Sequence, residues 1–96
     1  MRVLVVYDVN TESKEGRRRL RKVAKVCEGF GQRVQKSVFE CALQPTHYES
    51  LRHKLTGLIN QKEDDLRLYR LPDKAFESVE HFGVNASVDF QKPLVL

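Results

Sequence analysis

The first ten residues, Met1–Asn10, read MRVLVVYDVN and carry the clearest structural signal of the chain. An unbroken apolar run from Val3 to Tyr7 ends at a carboxylate, Asp8. Short apolar runs rich in β-branched residues are typical of strands that are covered on both faces. An aspartate at the end of such a strand places an oxygen ligand where strand ends and loops build functional sites. Asp8 could equally cap the helix that follows, and this stretch alone leaves both interpretations open.

The length and composition favour one small soluble domain. A chain of 96 residues suits a single folded unit, which we expect to span residues 1–96. No apolar run approaches the ~20 residues that cross a bilayer, and the N-terminus lacks the pattern of a signal peptide. These features predict a cytoplasmic protein with no membrane partner. Cys27 and Cys41 match no metal or redox spacing, so we expect both to be reduced residues of the core.

Positive charge is in excess and is concentrated in one short segment. Lysine and arginine total 17 against 13 aspartates and glutamates, and the sequence pI is about 9.3. Many of the cations lie between positions 17 and 25, namely Arg17, Arg18, Arg19, Arg21, Lys22 and Lys25. A basic segment of this kind suits a polyanionic partner such as nucleic acid, although a solvated helix face is the simpler alternative.

A first helix is predicted from a cap at Thr11 or Ser13 to about Phe30. Its apolar residues recur at helical spacing and form one stripe, Leu20, Val23, Ala24, Cys27 and Phe30. Arg17 and Arg19 fall at the two borders of this stripe, where they could reach a ligand bound beside the sheet.

The segment Arg33–Leu43 changes its apolar alternation partway along. Val34 and Val38 share one face, and the apolar positions of Phe39–Leu43 share the other. Such a switch indicates a bulge, a break or a strand covered on both faces, and we place it near Ser37–Val38. Because one layer of helices covers only one face of a sheet, apolar residues on the second face suggest a partner chain, for which a second copy is the simplest candidate.

The rest of the chain completes a recognisable order of elements. A second helix is predicted from about His47 to Gln61, followed by an alternating strand, Leu66–Leu71. Val79–Gly83 could be a strand or a turn, and the apolar end, Phe90–Leu96, is expected to pair as an edge strand in its own sheet or a partner's. This order predicts an α+β, ferredoxin-like α/β sandwich of the βαββαβ type with an extra C-terminal strand.

Asp8 is the best candidate for chemistry, because the chain has no nucleophile motif and no glycine-rich phosphate loop. One carboxylate makes a poor hydrolytic site, but a two-fold dimer would bring two copies of Asp8 towards one axis. Mg²⁺ or Mn²⁺ takes oxygen ligands and keeps several waters, so two carboxylates would suffice. A bound ion would relieve the repulsion between them and activate water for phosphodiester cleavage.

Three short motifs, in this order and spacing, resemble a known family. They are Tyr7–Asp8–Val9, the segment Gly31–Glu40 (GQRVQKSVFE) and the strand Asp65–Leu71 (DLRLYRL), with an arginine-rich helix between the first two. The chain resembles the small CRISPR-associated adaptation protein, the endoribonuclease-type partner of the CRISPR integrase. The resemblance covers roughly residues 1–71.

This resemblance implies a ferredoxin-like homodimer that takes part in spacer acquisition. It also implies that the C-terminal segment, 79–96, packs on the partner subunit. The implied activity is metal-dependent endonuclease cleavage of RNA or DNA, with Mg²⁺ or Mn²⁺ as cofactor and Asp8 as metal ligand and catalytic residue. The implied partners are CRISPR integrase dimers and nucleic acid, either duplex DNA or single-stranded RNA. The residues carried over for nucleic-acid binding are Arg17, Arg18, Arg19 and Arg33, with Tyr7, Ser37 and Phe39 in support.

Two other functions remain open at this point. The chain could be a non-catalytic DNA-binding scaffold that bridges integrase dimers, with Asp8 vestigial. It could also be a small-molecule-sensing module with the same fold, although a sensor has no need of so dense an arginine cluster. The sequence does not decide whether RNA or DNA is cut, which arginines of the helix touch it, or how far apart two copies of Asp8 would lie.

Overall fold

The computed structural model describes residues 1–84, and these residues form a four-stranded sheet with two helices. The elements in chain order are β1 (Arg2–Asp8), α1 (Lys14–Glu28), β2 (Gln32–Gln35), β3 (Val38–Ala42), α2 (Pro45–Leu58), β4 (Asp65–Leu71) and a short 3-10 helix (Ala75–Ser78). The sheet order is β2-β3-β1-β4, and every neighbouring pair is antiparallel. This confirms the predicted ferredoxin-like α+β fold, while the extra C-terminal strand, Phe90–Leu96, lies outside the described residues.

The core lies between the two helices and one face of the sheet. Alternate residues of β1, Val3, Val5 and Tyr7, are buried against α1 and α2. Leu4 and Val6 point to the other face and are only half-buried. The β1 run was predicted to be covered on both faces, but within the described chain the helices cover only one. We call the side that the helices leave uncovered in residues 1–84 the outer face; its apolar residues include Leu4, Val6, Val34, Val38, Tyr69 and Leu71.

The change of alternation in Arg33–Leu43 is a hairpin. Lys36 and Ser37 form the turn between β2 and β3, and the register also shifts between Arg33 and Gln35. The predicted break near Ser37–Val38 is therefore confirmed. Phe39 and Cys41 are fully buried on the helix side, whereas Val38 lies on the outer face beside Val6.

The start of α1 is built on a close contact with the preceding loop. The Ser13 side chain caps the helix by accepting the Gly16 N–H at 2.9 Å, which settles the choice between Thr11 and Ser13. Gly16 is buried against the backbone carbonyl of Asn10, and a Cβ at this position would collide with that oxygen. Gly16 therefore permits the loop after β1 to pack on the helix.

Several predicted boundaries shift by a few residues. Helix α1 ends at Glu28 instead of Phe30, because Gly29 already forms its C-terminal cap. Helix α2 ends at Leu58, since Ile59 is extended and begins the loop to β4. Val79–Gly83 forms no strand, and Gly83 adopts a left-handed conformation (φ 94°).

Two further predictions concern the cysteines and the membrane. Cys27 and Cys41 are free and fully buried, as predicted. Burial raises the pKa of the Cys27 thiol to about 12 and that of Cys41 to about 11, which disfavours the reactive thiolate. Among residues 1–84, neither helix has the length and apolarity that a membrane crossing requires.

Candidate functional site

Asp8 ends β1 with an exposed side chain on the outer-face side of the sheet. Its partner in the β1–β4 register is Asp65, the first residue of β4. Two carboxylates directly opposite each other in an antiparallel pair repel and destabilise the sheet. The Arg67 guanidinium donates to Asp65 Oδ2 at 3.2 Å and offsets part of this repulsion. A cation at Asp8 would offset the rest, so the pair is a favourable place for a positively charged ligand.

The two aspartates lie at one end of an open groove of about 520 Å³. The loop between β1 and α1 forms one wall, and the loop between α2 and β4 forms the other. We call it the acidic groove, and its lining residues are Asp8, Val9, Asn10, Thr11, Glu12, Lys62, Glu63, Asp64 and Asp65. Five of the nine lining residues carry carboxylates, which suit hard divalent cations more than soft metals.

Asp64 connects both walls of the groove to α1. Its side chain is 0% exposed, and Oδ1 accepts the Asn10 N–H at 3.0 Å while Oδ2 accepts the Asn60 N–H at 2.8 Å. The Arg19 guanidinium donates to both oxygens, from Nε at 2.8 Å and from Nη2 at 3.2 Å. We call these four residues, Asp64, Asn10, Asn60 and Arg19, the Asp64 network.

The Asp64 network keeps its carboxylate ionised. Burial by itself raises the pKa of Asp64, but the hydrogen bonds from Arg19 and from the Asn60 and Asn10 amides outweigh it and hold the pKa below its ordinary value. The same contact raises the pKa of Arg19. A carboxylate that accepts several hydrogen bonds in its charged form is a fixed structural anion.

The side chains of Asn10 and Asn60 also order their own loops. Asn10 Oδ1 accepts the Glu12 N–H at 2.9 Å, and Asn60 Oδ1 accepts the Lys62 N–H at 2.9 Å. This side-chain-to-backbone bond two residues ahead is the asparagine turn that suits tight loops. Both walls of the acidic groove are therefore defined by local hydrogen bonds as well as by Asp64.

Tyr7, Arg33 and Phe39 form a second cluster on the opposite side of the sheet from Asp8. The Tyr7 and Phe39 rings stack with centroids 6.3 Å apart, and the Arg33 Cζ atom lies 5.2 Å from the Phe39 centroid. Tyr7 donates its hydroxyl to the Lys36 carbonyl at 3.4 Å, and its N–H to the Ser37 carbonyl at 3.1 Å. Burial, only partly opposed by Arg33 and Ser37, raises the pKa of Tyr7. The structure thus brings these predicted site residues together but separates them from the acidic groove.

The three consecutive arginines of α1 have different surroundings. Arg17 and Arg18 are exposed, and Arg17 Nη1 donates to the Thr11 carbonyl at the wall of the groove at 3.1 Å. Arg19 is 17% exposed because its guanidinium binds Asp64, with Glu63 Oε2 3.6 Å away. Of these three arginines, Arg17 and Arg18 are therefore the two whose side chains are exposed and can bind a ligand.

The donor set fits Mg²⁺ or Mn²⁺ only with ligands from outside the chain. Asp8 and Asp65 supply carboxylate oxygens, which these ions prefer, and an exposed groove leaves room for water and phosphate oxygens. Within residues 1–84 no three or more histidine, cysteine, aspartate or glutamate side chains are grouped as a metal site. A second copy of Asp8 or a bound phosphate would have to complete the coordination.

Sequence reasoning did not identify Asp64 and Asp65 as residues of the candidate site. Three consecutive acidic residues, Glu63, Asp64 and Asp65, are typical of an acidic turn between two elements. The signal that could have distinguished them is the alternation of β4, which places Asp65 on the face of Arg67 and Tyr69. The hydrogen-bond partners of Asp64 lie up to 54 positions away along the sequence, so no local pattern indicates them.

Comparisons with known proteins agree on one family. Residues 1–79 match the family model described as CRISPR associated protein Cas2. The chain is 52% identical over 96 residues to the CRISPR-associated endoribonuclease Cas2 1 of Moorella thermoacetica, which covers 100% of both chains. It is 50% identical over 95 residues to the CRISPR-associated endonuclease Cas2 of Halalkalibacterium halodurans, which covers 99% of both.

The fold agrees with a solved structure as well. The crystal structure of Streptococcus pyogenes Cas2 at pH 6.5 superposes with a TM-score of 0.77 and 51% sequence identity. The superposition covers 86% of this chain and 100% of the streptococcal chain. The family match over residues 1–79 includes the sheet, both helices and the segments that line the acidic groove.

Proposed function

Because this chain belongs to the CRISPR-associated Cas2 family, we propose that it is a divalent-metal-dependent endonuclease that hydrolyses phosphodiester bonds of RNA or DNA. The observation that carries the proposal is the exposed Asp8 carboxylate opposite Asp65 at the end of the acidic groove. One relative is named an endoribonuclease and another an endonuclease. Those names support nuclease activity, and the proposal covers both nucleic acids.

The proposed cofactor is Mg²⁺ or Mn²⁺, held by Asp8 together with the same residue of a second copy. When bound, the ion supplies charge neutralisation and lowers the pKa of a water that can attack phosphorus. Asp65 adds negative charge beside the site. Arg17 and Arg18 bind the phosphates of the substrate and so orient the backbone towards Asp8. We further propose that this activity serves spacer acquisition, with CRISPR integrase dimers as the protein partner.

Substitution of Asp8 tests the proposal directly. Asp8→Ala should abolish Mg²⁺-dependent cleavage of RNA and DNA while leaving the Kd for duplex DNA nearly unchanged, because the basic residues stay in place. The measurement is a cleavage time course with a parallel binding titration. Asp73→Ala is the matched control, since Asp73 is 84% exposed beyond the other end of β4 and should cleave like the parent. Equal cleavage by Asp8→Ala and the parent would contradict the role of Asp8.

A non-catalytic scaffold is the second candidate, because one chain presents so few metal ligands in its described residues. In this function the exposed arginines bind duplex DNA between integrase dimers, and Asp8 does no chemistry. The same experiment separates the two candidates. A scaffold binds duplex DNA with the parent's affinity but shows no cleavage, with or without Asp8, at any Mg²⁺ or Mn²⁺ concentration.

A further inference from the structure

We propose that Asp64 is a positioning residue that holds Asp8 and Asp65 in the geometry required for binding a divalent cation. This inference rests on the proposed function of Asp8. It adds a residue that makes no contact with the substrate or the cation, and acts through the two strand ends that carry the exposed carboxylates.

The connectivity of the Asp64 network supports this role. Asn10, whose N–H donates to Asp64 at 3.0 Å, lies two residues beyond Asp8 at the end of β1. Asp65, which directly follows Asp64, is the residue opposite Asp8 in the sheet. One buried carboxylate therefore holds the backbone just after Asp8, through Asn10, and just before Asp65, through its own position in the chain.

The saturation of Asp64 argues against its being a metal ligand itself. A carboxylate has about four acceptor positions, two on each oxygen. Oδ1 of Asp64 accepts from Asn10 and from Arg19, and Oδ2 accepts from Asn60 and from Arg19. With a side chain that is 0% exposed, no acceptor position remains for an ion in the groove. Asp64 therefore acts through the residues that it holds.

The chemistry of the network makes Asp64→Asn an informative substitution. An asparagine has nearly the same shape, but one of its two terminal groups is an NH₂, which donates instead of accepting. In either orientation of the amide, its NH₂ group lies next to one N–H of Arg19 and to the backbone N–H of either Asn10 or Asn60. One loop wall must therefore lose its hydrogen bond, and Arg19 loses the nearer of its two charged partners, keeping only Glu63 at 3.6 Å.

The experiment compares full-length Asp64→Asn with the parent and with Asp73→Asn. Asp73→Asn makes the same chemical change at a carboxylate that is 84% exposed. Three quantities are measured on folded protein: hydrogen exchange at the Asn10 and Asn60 amides by NMR, Mn²⁺ affinity by calorimetry without nucleic acid, and the Kd for duplex DNA. Circular dichroism checks that each variant is folded.

We expect Asp64→Asn to speed exchange at the Asn10 or Asn60 amide and to weaken Mn²⁺ binding by about 10–100-fold, as is typical when a residue that orients a ligand is lost. The Kd for duplex DNA should stay within about two-fold, and Asp73→Asn should match the parent throughout. A residue with a merely stabilising role would lower the melting temperature and leave the Mn²⁺ affinity of the folded protein unaltered. That result would overturn the proposal.

Two further variants keep the outcome decisive. If Asp64→Asn does not fold, Arg19→Lys loosens the same network while keeping the charge, because an ammonium cannot donate to both oxygens as a guanidinium fork does. The same weakening of Mn²⁺ binding is then expected, and parent-like affinity would overturn the proposal. Asp8→Ala separates this inference from the proposed function. Parent-like Mn²⁺ affinity in Asp8→Ala would refute Asp8 as a ligand, whereas the exchange rates in Asp64→Asn report the network alone.

Discussion

Two aspartates at the acidic groove, Asp8 and Asp64, share a residue type and differ in what surrounds them. Asp64 is buried and bound by a guanidinium and two backbone amides, which lower its pKa and use all its acceptor positions. Asp8 is exposed, and its neighbour across the sheet is another carboxylate. The first arrangement stabilises the protein, and the second leaves a negative charge available to a ligand.

The stability of the protein should depend on pH through Asp64. Because the pKa of Asp64 in the folded protein is below its ordinary value of 3.8, the ionised side chain stabilises the native state fully above about pH 5. That contribution is lost as the pH falls through 3.8 towards the lower folded-state pKa. The urea midpoint of the parent should therefore exceed that of Asp64→Asn at neutral pH, and the gap should close on acidification.

The measurement is a series of urea denaturation curves for both proteins between about pH 7 and pH 3. Asp73→Asn controls for the loss of a carboxylate in general. Asp73 is 84% exposed, and its ion pair with the Met1 ammonium at 3.5 Å is of the exposed kind that contributes little to stability, so the gap should be close to zero at every pH. A gap between the parent and Asp64→Asn that stays constant down to pH 3 would mean that ionisation of Asp64 does not stabilise the fold.

Among the elements, α1 combines structural and ligand-binding positions on adjacent residues. Arg19 turns inwards to Asp64, while Arg17 and Arg18 remain exposed at the start of the helix near the groove. A substitution that includes Arg19 would disturb the Asp64 network as well as any binding of phosphate. The nucleic-acid role of the helix is therefore best tested with Arg19 left intact.

The double variant Arg17→Gln/Arg18→Gln should weaken duplex DNA binding and flatten its salt dependence. Each phosphate contact that is lost lowers the slope of log K against log salt by about 0.9. The measurement is the Kd at several salt concentrations. Arg52→Gln/Lys74→Gln removes the same charge from exposed positions away from the groove and should keep the parent's slope. If both double variants behave alike, the arginines of α1 contribute only net charge.

The elements themselves were predictable because their signals are local. The apolar run of β1, the apolar stripe of α1 and the change of face near Val38 each lie within one short segment, and the strand, the helix and the break that they predict are confirmed. The alternate burial of β1 was not predicted, because it depends on which face the helices cover. The contact between Arg19 and Asp64 spans 45 positions and depends on how α1 meets the loop before β4. The role of Gly16 also depends on tertiary structure, because glycine is needed there for close packing on Asn10 and not for helix propensity.

Within residues 1–84, the two helices cover one face of the sheet and leave the other open, except at its β2–β3 edge, where Val79 and His81 line a pocket with Val34. The uncovered outer face carries Leu4, Val6 and Val38 at adjoining positions of β1 and β3, and Tyr69 of β4 is 42% exposed. Apolar side chains in a continuous patch are costly to leave in water, which favours a partner chain on this face. A second copy would also bring another Asp8 to the groove, as the proposed metal site requires.

The protein should therefore be a dimer at micromolar concentration, and Val6→Glu should convert it to a folded monomer. In the monomer, a glutamate at this half-buried position can be solvated and lies opposite Arg67. In the dimer, its charge would have to be buried in an apolar interface, which is unfavourable. Sedimentation velocity gives the oligomeric state, and cleavage assays on the same samples should show the monomer inactive. Thr56→Glu, on the exposed side of α2, should remain dimeric and active. A parent that sediments as a monomer would contradict the paired site, and an active Val6→Glu monomer would show that one Asp8 suffices.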